Sequence, residues 1–104
     1  MTDFTQEVIR IIQNIPAGKV MTYGQIAIQA GNPWGARQVV RILNSSSGAY
    51  RLPWHRVINA KGGISLTGVG GWEQCQLLLD EGVVVEDGFV DLDKYLYRPE
   101  FNHL

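Results

Sequence analysis

Apolar positions near the N-terminus recur at helical spacing. Phe4, Val8, Ile11, Ile12 and Ile15 share one face, which predicts an amphipathic helix over residues 3–15, with Asp3 and Gln6 at capping-box spacing. Pro16-Ala17-Gly18 stops it, and Lys19 to Met21 forms a short extended link. Thr22 and Gln25 repeat the capping-box spacing and open a short helix to about Gln29, closed by Ala30-Gly31. Asn32-Pro33 reads as the N-cap and first position of a third helix running through Arg37, Val40 and Leu43 to about Ser45. Two short helices joined by a glycine-containing turn are a helix-turn-helix pattern, placed at residues 22–46.

Downstream the periodicity is shorter. Ser45 to Arg51 is expected as a polar loop and Leu52 to Ile58 as a strand or extended segment. Asn59 to Gly71 holds five glycines in 13 residues and predicts a loop, with a turn at Lys61-Gly62-Gly63. Trp72 to Asp80 makes a last helix with Trp72, Cys75, Leu78 and Leu79 on one side. Val83 onward is left between a hairpin and an irregular arm. The expected fold class is mostly α with short β: a single winged-helix-like helix-turn-helix domain over residues 1–104.

Composition narrows the function classes. The 104 residues are 45% hydrophobic and 18% charged, enough for one core and too little charge for a disordered chain. No apolar run is long enough to span a membrane, because Asp80 and Glu81 interrupt the longest one. Cys75 is the sole cysteine, which excludes an internal disulfide. With only His55 and His103 beside it there is no zinc ligand set, so no metal and no cofactor is expected. A cytoplasmic, soluble chain fits these features. The lack of a heptad or long apolar face favours a monomer.

Net charge is −1, but its distribution is uneven. From Val8 to Trp72 there is no Asp or Glu, while Arg10, Lys19, Arg37, Arg41, Arg51, Arg56 and Lys61 are all basic. From Glu73 onward eight acids, Glu100 among them, face only Lys94 and Arg98. A basic face that attracts phosphates is expected, small enough that shape or base contacts must supply part of the affinity. The third helix begins Gly35-Ala36-Arg37-Gln38-Val39-Val40 and offers few long readers: Arg37, Gln38 and Arg41. Small residues let a helix approach a narrow groove, and one projecting Arg can enter the base stack. That suits minor-groove binding with deformation better than sequence readout, although Gly-Ala pairs also serve tight helix packing. Trp34, beside the turn, is expected to pack as a core or staple residue.

Several segments, taken together and in order, point to one family. Val20-Met21-Thr22-Tyr23-Gly24-Gln25-Ile26-Ala27, Gly31-Asn32-Pro33, Ala36-Arg37-Gln38-Val39-Val40, Asn44, Leu52-Pro53-Trp54-His55-Arg56-Val57-Ile58 and Leu78 to Gly82 resemble the DNA-binding domain of O6-alkylguanine-DNA alkyltransferases. The family's Pro-Cys-His-Arg stands here as Pro53-Trp54-His55-Arg56. Tryptophan at the nucleophile position resembles the alkyltransferase-like proteins, which bind alkylated guanine without repairing it. Alkyl transfer needs an activated thiolate, and indole supplies no such nucleophile. Trp54 can instead offer a flat apolar face to an extruded base, where stacking is worth about 1–3 kcal/mol. Its other reading is a core anchor. Cys75, beside Leu78 and Leu79 and without a neighbouring histidine, reads as a structural thiol.

The resemblance implies further roles. Arg37 corresponds to an arginine finger that replaces the extruded base, and Tyr23 to a tyrosine that crowds the adjoining phosphate. Thr22, Gln25, Ala36 and Arg41 are implied DNA contacts. Tyr23, Trp54, His55, Arg56, Val57, Val69 and Gly70 are implied around the lesion pocket, with His55 paired to Glu81, and Arg56 bracing the loop. Asn44 is implied to hold that loop through backbone hydrogen bonds. Val69-Gly70, in place of bulkier side chains, predicts a roomier pocket that tolerates alkyl groups larger than methyl. The implied partner is duplex DNA carrying O6-alkylguanine, held without transfer and marked for nucleotide excision repair proteins. Two rival readings are an alkyltransferase working through another nucleophile such as Cys75, and a helix-turn-helix transcriptional regulator.

Overall fold

The computed structural model describes residues 2–66 and 68–99; Glu100 and His103 lie outside them. Five helices run in the order α1 (Asp3–Gln13), α2 (Tyr23–Gln29), α3 (Ala36–Tyr50), α4 (Gly68–Asp80) and the one-turn α5 (Leu92–Tyr95). Four two-residue strands are set among them: β1 (Met21–Thr22), β2 (Val57–Ile58), β3 (Val85–Glu86) and β4 (Phe89–Val90). A 3-10 turn, Trp54–Arg56, leads into β2. The mostly helical class with short strands and a helix-turn-helix, α2–α3, is as expected. Beyond Val83 the chain takes the hairpin alternative, β3 antiparallel to β4.

The parallel pair β1–β2 organises the core. Met21 lies opposite Val57 and Thr22 opposite Ile58. Successive residues of a strand face opposite sides. Met21 and Val57 join a first core with Val8, Ile12, Ile26 and Val39 from α1, α2 and α3. Val20 and Ile58 join a second core with Leu78, Val83, Val90 and Tyr95. A few residues of sheet therefore part the helix-turn-helix from the C-terminal elements. The second core is sewn to β1 by Val20, whose N–H donates to Tyr95 O at 2.9 Å and whose carbonyl accepts from Tyr97 N at 2.8 Å. At the 61–63 turn, Gly62 has φ +83° and a Cβ there would collide with the Val90 carbonyl, so glycine is required.

Several boundaries differ from the sequence expectation, each for a local reason. Thr2, not Asp3, caps α1, its side chain accepting from Thr5 N, and the helix ends at Gln13. Asn32 does not cap α3. Its Oδ1 accepts from Trp34 N at 3.1 Å, an Asx turn that delays the helix to Ala36. The same helix continues to Tyr50, through the segment expected as a loop, because Ser45 and Ser47 donate their hydroxyls to the carbonyls of Ile42 and Leu43 inside it. It stops at Arg51 in the left-handed conformation, φ 51°. In α4, which begins at Gly68 within the expected loop, the inner face is Gly71, Gln74 and Leu78. Trp72 and Leu79, expected inside, are exposed. Trp34 packs in no core; it is 92% exposed.

Candidate nucleic-acid interface

Arg37, Gln38 and Arg41 are all exposed on α3, and Ala36 is half-buried. Gly35 at the N-cap gives no side-chain hydrogen bond, so the first-turn N–H groups remain available to an anion. The fit there is close: a Cβ at 35 would stand 2.9 Å from Phe4 Cζ and 3.2 Å from the Asn32 carbonyl oxygen. Two of the seven cations in the acid-free stretch are neutralised locally, Arg10 by Glu7 and Arg56 by Glu81. The positive charge that remains for phosphates is concentrated on and just after α3, at Arg37, Arg41 and Arg51, with Lys19 and Lys61 elsewhere.

Tyr23, Leu43, Asn44, Ser47, Trp54, Leu66 and Gln74 line a cavity of about 280 Å³. Small-molecule pockets start near about 300 Å³, so this one suits a single flat ring system. It sits where the start of α2, the middle of α3, the 3-10 turn and α4 meet. Its α3 wall begins at Leu43, six residues from Arg37, or about 9 Å along the helix axis at 1.5 Å per residue. Trp54 supplies its aromatic surface, with the His55 ring edge-on at 6.2 Å between centroids and 85° between planes. Burial pushes the Tyr23 phenol above its ordinary pKa, so the hydroxyl stays neutral beside any phosphate.

The Pro53-Trp54-His55-Arg56 loop is held from behind by groups distant in sequence. Pro53 and Leu52 close the 3-10 turn, the Pro53 carbonyl accepting from Arg56 N at 3.0 Å and the Leu52 carbonyl from Trp54 N at 2.8 Å. Glu81, just past α4, lies 2.8 Å from His55 Nε2 and accepts from Arg56 Nη2 at 2.6 Å and Nε at 3.0 Å. It also accepts the Gly18 N–H at 3.1 Å, while Arg56 Nη1 donates to the Ile15 carbonyl at 2.8 Å. Burial alone would raise the Glu81 pKa. Hydrogen bonds from Arg56, His55 and Gly18 outweigh it and hold the carboxylate down at about 2. On the other side Gln74, 3% exposed, donates Nε2 to the carbonyls of His55 and Val57 at 3.1 and 3.0 Å. The loop is thus fixed to the α1–β1 link and to the middle and C-terminal end of α4.

The structure brings some of the expected site residues to the cavity and keeps others away. Tyr23 and Trp54 line it. His55 and Arg56 point instead into the Glu81 cluster, and Val57 is a buried strand residue of the first core. Val69 is 80% exposed on the first turn of α4, and Gly70 faces the Leu66 side chain; Leu66 is the wall there. Val69 and Gly70 therefore do not widen this cavity, against expectation. Thr22 is buried and its side chain caps α2 by accepting from Gln25 N. Gln25 completes that capping box and donates Nε2 to the Tyr97 carbonyl, so both side chains already have partners within the protein. Asn44 is exposed and lines the cavity, and no side-chain hydrogen bond joins it to the 52–56 loop. Gln74, Leu43, Ser47 and Leu66 escaped the sequence reading. For Gln74 a signal existed: a polar residue at i+3 from Gly71 and i−4 from Leu78, on the face that is buried.

Cys75 is half-buried on α4 and absent from the cavity lining. Among the described residues no cluster of His, Cys, Asp and Glu is arranged to hold a metal, and no helix is long and apolar enough to cross a membrane. A wider hollow of about 500 Å³ at the β3–β4 hairpin is edged by Glu86, Asp87 and Asp91, which repel a phosphate backbone. Two hollows adjoin α3: one of about 420 Å³ between α1 and the start of α3, lined by Phe4, Asn32, Gln38 and Arg41, and the Trp54 cavity, which is the one with an aromatic face from the motif loop.

Comparison with known proteins agrees with this geometry. The family model of the 6-O-methylguanine DNA methyltransferase DNA-binding domain matches residues 3–83. A DNA base-flipping protein of Escherichia coli is 48% identical over 96 residues, covering 91% of this chain and 74% of the relative. Alkyltransferase-like protein 1 of Schizosaccharomyces pombe is 37% identical over 106 residues, covering 95% and 98%. The crystal structure of S. pombe Atl1 in complex with damaged DNA containing O6-carboxymethylguanine superposes with a TM-score of 0.84 at 36% identity, over 95% of this chain and 98% of that one. With the matched segment running from α1 through the Glu81 cluster, the chain belongs to the family of the 6-O-methylguanine DNA methyltransferase DNA-binding domain.

Proposed function

We propose that this protein binds duplex DNA through α3 in the minor groove, extrudes O6-alkylguanine and holds it in the Trp54 cavity without transferring the alkyl group. The observation that carries the reading is the cavity itself: it has room for one base, an aromatic face from Trp54, and a wall continuous with the helix bearing Arg37. Arg37 fills the gap left in the stack, and Tyr23 rotates the nucleotide outward. Extrusion costs a few kcal/mol, and stacking on an aromatic ring returns about 1–3 kcal/mol per base. An alkylated guanine pairs poorly with cytosine and is the easier one to extrude.

No transfer follows from the residue at position 54. The alkyl carbon meets an indole, and the nearest thiol in sequence, Cys75, is outside the cavity. The names of the relatives, a base-flipping protein and an alkyltransferase-like protein, support the same reading. Because the lesion persists, the complex acts as a marker, and nucleotide excision repair proteins are the proposed recipients. The proposed working form is a monomeric single domain in the cytoplasm, associated with the nucleoid when bound to DNA.

The test is equilibrium binding to one duplex carrying O6-methylguanine and to the same duplex carrying guanine, at fixed salt, followed by mass spectrometry of the protein. The expected result is at least a tenfold preference for the lesion, about 1.4 kcal/mol, and no mass gain. Equal affinity contradicts lesion recognition. An added methyl on the protein contradicts the absence of transfer.

A further inference from the structure

Trp34 is 92% exposed, the highest value among the exposed large hydrophobic side chains described. Its backbone is nevertheless held on both sides. Asn32 Oδ1 accepts its N–H at 3.1 Å, and Gly35, next in the chain, is fitted against Phe4. An indole held in water on a fixed turn offers a flat apolar face to whatever the turn meets. The turn leads directly into α3, whose first exposed side chains are Arg37, Gln38 and Arg41 and whose N-terminus has no side-chain cap. The basic face is also small, since Arg10 and Arg56 are consumed by Glu7 and Glu81. A weak ionic term leaves room for an apolar one.

We propose that Trp34 is a DNA-contact residue: its indole packs on the deoxyribose carbons of the strand whose phosphates meet Arg41 and the start of α3. The inference rests on the DNA-binding reading above and adds an apolar, lesion-independent and salt-insensitive contribution to it. The occupant is DNA rather than protein because Trp34 is continuous with exposed arginines and an uncapped helix N-terminus, which favour phosphate.

The experiment measures binding of wild type, Trp34→Ala, Trp34→Lys and Arg37→Ala to the guanine and O6-methylguanine duplexes over a salt series, with far-UV circular dichroism as the folding control. Trp34→Ala is expected to weaken binding to both duplexes by the same factor, about five- to thirtyfold, with an unchanged slope of log affinity against log salt. Trp34→Lys is expected to recover part of the low-salt affinity and steepen that slope by about 0.9, one further phosphate neutralised. Trp34→Ala within twofold of wild type, while Arg37→Ala loses binding, overturns the Trp34 contact and leaves the DNA reading standing. A loss confined to the lesion duplex also overturns it, because it places Trp34 at the base and not the backbone. Failure of wild type to bind either duplex overturns both.

Discussion

The two sides of the β1–β2 pair divide the work unequally. On one side, α1, α2 and α3 form the first core and present the arginines and the mouth of the cavity. On the other, α4, the β3–β4 hairpin and α5 form the second core and carry most of the acid groups. The acidic side never needs to touch a phosphate, yet it supplies Glu81 and Gln74, which hold the loop that carries Trp54. In the proposed role of Trp54, a ring that holds an extruded base has to stay in place, so its mount matters as much as the ring. Separating mount from reader lets carboxylates serve the site without repelling the DNA.

The two sides depend on each other most at Glu81. Glu81→Ala leaves Arg56 without its carboxylate and the Gly18 N–H without its acceptor. Removing one partner of a buried pair costs about 3–5 kcal/mol, and with both side chains 16–18% exposed about 2–3 kcal/mol is expected here, read as a fall in Tm. A loss under about 1 kcal/mol means the cluster is not the mount. Gln74→Leu comes next. It keeps the volume but removes two buried donors from the carbonyls of His55 and Val57, at about 1–3 kcal/mol. If lesion preference survives that change undiminished, the loop does not require this side of its support.

A paired substitution sharpens the division of roles. Arg37→Ala is expected to weaken binding to lesion and normal duplex together, by roughly tenfold and persistently at high salt. Trp54→Ala is expected to erode only the preference between them, by about 1–3 kcal/mol at most. Equal losses from Trp54→Ala on both duplexes place the ring outside the pocket's function. Acid stability tests the same cluster by another route. Glu81 titrates near 2 when folded and near its ordinary 4.5 when unfolded, so its contribution is complete above about 4.5 and is lost as pH falls toward 2. Across that window the wild type should lose more stability than Glu81→Gln. Parallel acid-unfolding curves remove Glu81 from the account.

Much of this was legible in the residues alone. The apolar period of α1, the Thr22–Gln25 capping box, the glycine-containing helix-turn-helix and the motif at 53–56 are local patterns, and local patterns survive being read in one dimension. The pairing of His55 with Glu81 came from family likeness and is present at 2.8 Å. What could not be read depended on competition between local and distant partners. Asn32 was available to cap a helix and closes an Asx turn; the serines of α3 had the composition of a loop and bond back into the helix. The phase of α4 was set by Gly71, where a Cβ would strike the Leu66 carbonyl, and by Gln74 meeting two carbonyls of the motif loop.

By itself, then, the sequence determined the kinds of elements, the basic and acidic halves, and the absence of a thiol at position 54. Composition and short-range spacing are sufficient for each of these. Only the tertiary structure decided which side chains line the cavity, that Gln25 also reaches the Tyr97 carbonyl, that Trp34 stands in solvent, and that Arg56 points to Glu81. The contacts among them depend on which groups, dozens of residues apart, arrive within hydrogen-bonding distance of one another, and no local pattern encodes that distance.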